Sequence, residues 1–217
     1  MPTVPATQDQ ETGTSAAPSN GARRGRPGYD REKLISVCVQ VFNEYGYDTT
    51  SMGMLSNHLG ISKSAIYHHV NSKEEILEEA LLRALDSLEK AMDEVRTPDS
   101  RGIDQLEGVI RGSIRVLVDQ MPYVTLLLRL RGNSPVEIAA LERRRRITRT
   151  VEELVRQAQD EGDLREDISG KSTPRLILGM INSIVDWYRP DRGVPGQQGP
   201  DQMIDAVTGV VLGGLRG

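Results

Sequence analysis

A chain of 217 residues, 37% hydrophobic, 27% charged and only 4% aromatic, is long enough for one sizeable domain or two small ones sharing a helix. No stretch reaches the roughly 18 apolar residues of a membrane span and no apolar run follows the N-terminus, so a cytoplasmic protein without a membrane partner is expected. The single cysteine, Cys38, allows no internal disulfide, and the net charge of −4 is not that of a chain that binds nucleic acid over its whole surface.

Residues 1–28 begin with Pro, Thr, Ser, Gln and Gly without periodicity, which reads as a disordered tail. The tail turns basic at Arg23, Arg24 and Arg26, an arm able to lie in a DNA minor groove, although a solvated charge run has the same composition. Leu34, Val37, Cys38, Val41, Phe42 and Tyr45 then recur at helical spacing, and Gly46 ends that amphipathic helix. Cys38 lies on its apolar face, as a small buried hydrophobe.

The next stretch carries the chemistry. Met52, Leu55 and Leu59 form one helical face with Thr50 or Ser51 as N-cap; Gly60 supplies a left-handed stop, and Ser62 is placed to cap a second helix. That is helix-turn-helix spacing. In the second helix Ile61, Ala65, Ile66 and Val70 face inward, leaving Lys63, Ser64, Tyr67 and His68 outside. Lysine can neutralise a phosphate, serine and the first helical N–H groups can donate to phosphate or base edges, and tyrosine and histidine can bond the DNA backbone. Small Ser64 and Ala65 allow close approach to the major groove.

Ser72 and Glu75 read as a capping box before Ile76, Leu77, Ala80, Leu81, Ala84, Leu85, Leu88 and Met92, a helix of about 24 residues that leaves a head at 29–73 and enters a body at 74–217. Residues 1–73 hold seven Lys/Arg against six Asp/Glu, a net of +1, leaving 20 against 25, a net of −5, for the rest. A DNA-reading head on an acidic body fits that asymmetry.

The body has no strand pattern and no phosphate loop. Helical periodicity covers 103–120, Pro122 precedes a short apolar run from Tyr123 to Leu130, and a long polar helix runs from Pro135 to Glu161. Its Arg143 to Arg146 run reads as a solvated face, with a polyphosphate contact as the alternative. Thr173 and Pro174 start a helix whose Leu176, Ile177, Met180, Ile181, Ile184, Val185 and Tyr188 cover more than one face, and a last helix runs from Pro200 to Leu215. Gly179 and Ser183, like Gly209 and Gly213, are small residues four apart, which lets helices touch, here those of a second chain. The expected fold is all-α, about nine helices: a three-helix head and a helical-bundle body. No HExxH or CxxC is present and all three histidines (His58, His68, His69) lie in the head, so no enzyme, metal site or cofactor is expected.

The succession Tyr45-Gly46-Tyr47, Thr49-Thr50, Leu59-Gly60-Ile61-Ser62-Lys63, Ile66-Tyr67-His68-His69 and Ser72-Lys73-Glu74-Glu75-Ile76-Leu77 resembles the N-terminal domain of TetR-type one-component regulators from residue 29 to about 77. The resemblance implies a repressor that binds a palindromic operator as a homodimer and is released by a small-molecule effector. The candidate DNA-facing set is Arg23, Arg24, Arg26, Thr50, Ser62, Lys63, Ser64, Ala65, Tyr67, His68 and Lys73. Further on, Val185-Asp186-Trp187-Tyr188-Arg189-Pro190 resembles an ending found in a branch that responds to acyl-coenzyme A thioesters of fatty-acid, sterol or aromatic-acid catabolism. That implies an acyl group lying among Leu88, Met92, Ile110, Tyr123, Leu127, Met180, Ile184, Trp187 and Tyr188. The alternatives are an efflux regulator responding to a hydrophobic drug-like ligand and a constitutive DNA-binding dimer with no effector.

Overall fold

The computed structural model describes residues 30–189 and 199–216, so Arg23, Arg24 and Arg26 lie outside the described residues. Among those described the fold is all-α: nine helices, with no strand beyond an isolated antiparallel bridge between Leu164 and Arg216. Three short helices make the head. Helix α1 (Arg31–Tyr45) starts where Asp30 accepts the Lys33 N–H at 2.7 Å and stops at Gly46, whose φ of 86° suits glycine. Its buried face is wider than the periodicity predicts: Ile35 and Val39 are buried with Leu34, Cys38, Val41 and Phe42, whereas Tyr45 is exposed. The reason is tertiary, since α1 packs against α6 of the body as well as against α2 and α4.

Helix α2 (Met52–Leu59) is capped by Ser51 rather than Thr50 and ends at Gly60 in the left-handed conformation; Ser62 then caps α3 (Lys63–Tyr67) through the Ala65 N–H at 3.1 Å. Across the turn the Ser56 hydroxyl donates to the Ile61 carbonyl at 2.6 Å. Leu55, Leu59, Ile66 and Val70 form the floor of the head. Helix α4 (Lys73–Asp93) is about 30 Å long. Ser72 caps it, but the Glu75 carboxylate reaches one residue beyond the expected box, accepting the Asn71 backbone and amide N–H at 2.7 and 2.8 Å and pairing with Arg31 at 2.8 Å.

The body is built on α5 (Gly102–Asp119), which packs on α4, α7 (Pro135–Asp160), α8 (Thr173–Trp187) and α9 (Pro200–Leu215), with the short α6 (Met121–Leu128) wedged between α1, α4, α5 and α8. A Cβ at Gly102 would sit 2.6 Å from the Ala158 backbone nitrogen, so only glycine lets α5 start that close to α7. The Gly102 N–H is held by Glu161 at 2.7 Å. Ser172, not Thr173, precedes the first turn of α8; the Thr173 hydroxyl donates back to the Ser169 carbonyl.

Head and body are joined at two places. One is α4. The other is α6 with the loop after it: Arg129 donates to the Asn43 carbonyl, Asn43 donates to the carbonyl of Pro122 in the first turn of α6 at 2.7 Å, and Asn133 donates to Asp48 at 3.0 Å. That loop is shaped by buried Glu137, whose Oε2 accepts the backbone N–H groups of Arg131, Gly132 and Asn133.

Candidate DNA interface and body cavity

Helix α3 has five residues, so its orientation is set by what surrounds it rather than by its own stability. Ile66, fully buried, and Val70, 1% exposed, anchor one side, and this turns Lys63, Ser64, Tyr67 and His68 out to solvent, Tyr67 at 50%. The side chain of Lys63 lies over Gly53 of α2, where a Cβ would meet its Cε at 3.3 Å. The Ser62 and Ser64 hydroxyls bond each other at 2.9 Å while Ser62 caps the helix. Ala65 is partly buried behind them. The structure therefore brings together one cation, one hydroxyl pair and two exposed ring groups on a single edge of the head, an arrangement suited to phosphate and base-edge contacts.

Two residues expected on that edge are turned inward. Thr50 is 2% exposed and its hydroxyl donates to the Gly46 carbonyl at 2.7 Å. The Lys73 ammonium donates to the carbonyls of Tyr47 and Thr50 at 2.8 and 2.9 Å and lies 4.2 Å from the Tyr47 ring centre, fixing the α1–α2 loop to the start of α4. Their polar groups are occupied within the head, which corrects the sequence-based reading of both as DNA contacts.

In the body a cavity of about 230 Å³ opens between α4, α5, α6, α7 and α8. Leu88, Val124, Leu127, Leu128, Ile147, Leu178 and Ile181 form its apolar wall; Ser113, Thr148, Asn182, Arg144 and Arg175 are its polar groups. Gly179 lies at its rim. Of the expected ligand residues, Leu88 and Leu127 are in this wall. The others are elsewhere. Ile110, Ile184 and Tyr188 are packed in the core. Met92 borders a shallow groove with Asp93 and Arg96. Tyr123 faces the head side of α6 beneath the Arg83 guanidinium, 4.6 Å from the ring centre. Met180 and Trp187 are 42% and 54% exposed on the outer face of α8. The correction follows from the α8 register, which turns Leu178, Ile181 and Asn182 toward the cavity and Met180 and Trp187 away.

The arginine run of α7 divides. Arg143 bridges Asp86 and Glu89, both at 2.6 Å, and these carboxylates raise its already high pKa further; Arg145 and Arg146 are exposed. Arg144 is half-buried at the cavity, where, among the described residues, its guanidinium donates only to the Leu127 carbonyl at 3.2 Å, and burial holds that guanidinium below the ordinary arginine range. Sequence reasoning missed Arg175, Ser113, Val124 and Ile147.

Leu176, Met180 and Trp187 on α8 and Val210 on α9 leave an apolar surface exposed, with Gly179, Ser183, Gly209 and Gly213 between them. A Cβ at any of those three glycines would meet nothing within 4 Å, so no contact among the described residues needs them small.

Residues 34–80 match the family described as bacterial regulatory proteins of the tetR family, and residues 99–215 match the tetracyclin repressor-like C-terminal domain. The chain belongs to the TetR family. It is therefore a transcriptional repressor of the TetR type, a DNA-binding regulator and not an enzyme. Among solved TetR-family structures, SCO3833 of Streptomyces coelicolor A3 is 52% identical, with 85% of this chain and 91% of that one aligned at a TM-score of 0.78. The repressor KstR2 of Mycobacterium tuberculosis is 26% identical over 85% of this chain and 92% of its own length. AibR, solved with isovaleryl coenzyme A and operator DNA, has the same fold at a TM-score of 0.68 and 21% identity, covering 83% of this chain and 96% of AibR. Among the described residues of this TetR-family chain, no helix is long and apolar enough to cross a membrane.

Proposed function

We propose that this TetR-family protein represses transcription in the cytoplasm as a homodimer on a palindromic operator and releases it on binding an acyl-coenzyme A thioester. The observation that carries the DNA part is the α3 edge, where Lys63, Ser64, Tyr67 and His68 stand exposed on a helix held from behind by Ile66 and Val70. One such helix reads only a few base pairs, and two-fold symmetry doubles the site. The exposed α8–α9 face, apolar and studded with glycines in open space, supports the dimer. The effector reading is supported by an apolar-walled cavity carrying arginines and by AibR, a protein of the same fold that binds isovaleryl coenzyme A.

Ligand sites for drug-sized molecules run from about 300 Å³ upward, so 230 Å³ admits the acyl part of a thioester and leaves the coenzyme outside, near exposed Arg175. A hundredfold release requires the ligand to favour the DNA-incompetent arrangement by about 2.7 kcal/mol. The test is fluorescence anisotropy of a labelled operator titrated with the dimer in the presence of a thioester panel. Release by short acyl thioesters and not by coenzyme A alone is expected; a panel that leaves operator affinity unchanged would remove the acyl-coenzyme A part and leave the dimeric repressor.

A further inference from the structure

The body cavity is electrostatically one-sided. Among the described residues its lining contains Arg144 and Arg175 and no acidic residue. Among the described residues neither arginine has a carboxylate within ion-pair distance, in contrast to Arg143 one position away, which has two. The side chains of Ser113, 5% exposed, and Asn182 also have no hydrogen-bond partner among the described residues, and both residues line the cavity. A guanidinium has five N–H donors in a planar fork. Arg144 uses one of them, on the Leu127 carbonyl.

Half-burying a charge without a counter-charge is unfavourable unless something fills the vacancy, and a fork beside an apolar wall matches a carboxylate on a hydrocarbon body. We infer that the part of the effector inside the cavity carries a carboxylate, held in bidentate fashion by Arg144, with its apolar portion against Leu88 and Leu127. This rests on the effector reading above and narrows it: the ligand is a short acyl group with a second, free carboxylate, or the free carboxylic acid itself.

Matched probes separate the sources. Calorimetry and operator release are measured with adipoyl-coenzyme A against hexanoyl-coenzyme A, and with hexanoate and benzoate against their amides, for the wild type, Arg144→Gln and Arg144→Lys. The expected result is that each probe with a free carboxylate binds about tenfold or more tighter in the wild type than its counterpart lacking that carboxylate. Gln should abolish that ratio and Lys reduce it, while the probes without the carboxylate bind the variants as they bind the wild type. If acids bind with that preference and thioesters do not, the inference stands and the acyl-coenzyme A reading falls. If hexanoyl-coenzyme A binds as tightly as adipoyl-coenzyme A and the acids are silent, the inference is overturned and the acyl-coenzyme A reading stands. Equal binding of acids and amides, or silence of all six probes, also overturns it. Gln loses charge without losing much volume, and unchanged melting of the ligand-free variants separates a lost ligand contact from a damaged fold.

Discussion

Lys63 and Lys73 both belong to the head, yet one ammonium faces solvent and the other the protein, and salt dependence distinguishes them. On the function proposed above Lys63 holds one phosphate per head, so Lys63→Ala would remove two such contacts from a dimer. Each contact contributes about 0.9 to the slope of log affinity against log salt, so the slope should fall by about 1.8. Between about 50 and 200 mM salt the wild-type advantage over the variant should then shrink roughly tenfold. The fold should not notice, because the side chain is exposed. Lys73→Met is the counterpart. It removes two charge-assisted hydrogen bonds, at 2.8 and 2.9 Å, worth about 2 kcal/mol together once partial exposure is allowed for. Melting should drop by about 4–8 °C and the salt slope should stay as in the wild type. Anisotropy titrations across the salt series and thermal melts by circular dichroism supply both readouts. If Lys73→Met lowers the slope as Lys63→Ala does and melts normally, the ammonium of Lys73 reaches a phosphate and the inward assignment is wrong.

Gly53→Ala should stabilise α2 by about 0.5–1 kcal/mol through helix propensity yet weaken operator binding, because the new methyl displaces the Lys63 side chain; thermal melts and anisotropy moving in the same direction would contradict this. Gly209→Leu should leave each protomer folded, its side chain having open space, but cost about 1–3 kcal/mol at each crowded site of a dimer, with sedimentation showing monomers and the emission of exposed Trp187 staying red-shifted. A Gly209→Leu protein that remains dimeric at low concentration places the interface elsewhere. Glu75 is held below the usual carboxylate range of about 4.5, first by the Asn71 N–H groups and then by Arg31. Its stabilising contribution is therefore complete above about pH 4.5 and is lost as the pH falls through its folded value. The melting gap between wild type and Glu75→Gln should be constant near neutrality and close in acid; a gap that widens in acid would reverse the assignment.

What could be read from the residues alone depended on whether the partner was local. The turn at Gly60, the Ser62 cap and the outward face of α3 are settled within a few residues, so periodicity and capping chemistry placed them. Ile35 and Val39 are buried in a helix that packs against α6, more than 80 positions away in the chain, as well as against α2 and α4, and no local pattern carries that. Thr50 and Lys73 look like DNA contacts in sequence because the carbonyls that occupy them, of Gly46, Tyr47 and Thr50, present themselves only once the α1–α2 loop is folded. Arg144 was legible in principle. Ala140, Arg144, Ile147 and Val151 stand at i, i+4, i+7 and i+11, which puts that one arginine of the run on the core stripe of α7. Helix α8 is apolar on more than one side, so its sequence does not tell the side that meets the cavity, with Leu178, Ile181 and Asn182, from the exposed side of Met180 and Trp187.

The second junction between head and body changes how the protein can move. A single helix joining two masses acts as a hinge, free to bend and to twist about its axis, and a shift at one end is diluted into those freedoms before it reaches the other. Arg129, Asn43, Asn133 and Asp48 tie down the far side of α1 and close the hinge into a frame, so the head follows α6 as much as α4. Each of these solvent-facing bonds contributes about 0.5–1.5 kcal/mol, so three come to about 1.5–4.5 kcal/mol, a range that overlaps the roughly 1–3 kcal/mol of a typical allosteric coupling. A tie of that strength limits how far the head can move independently of α6.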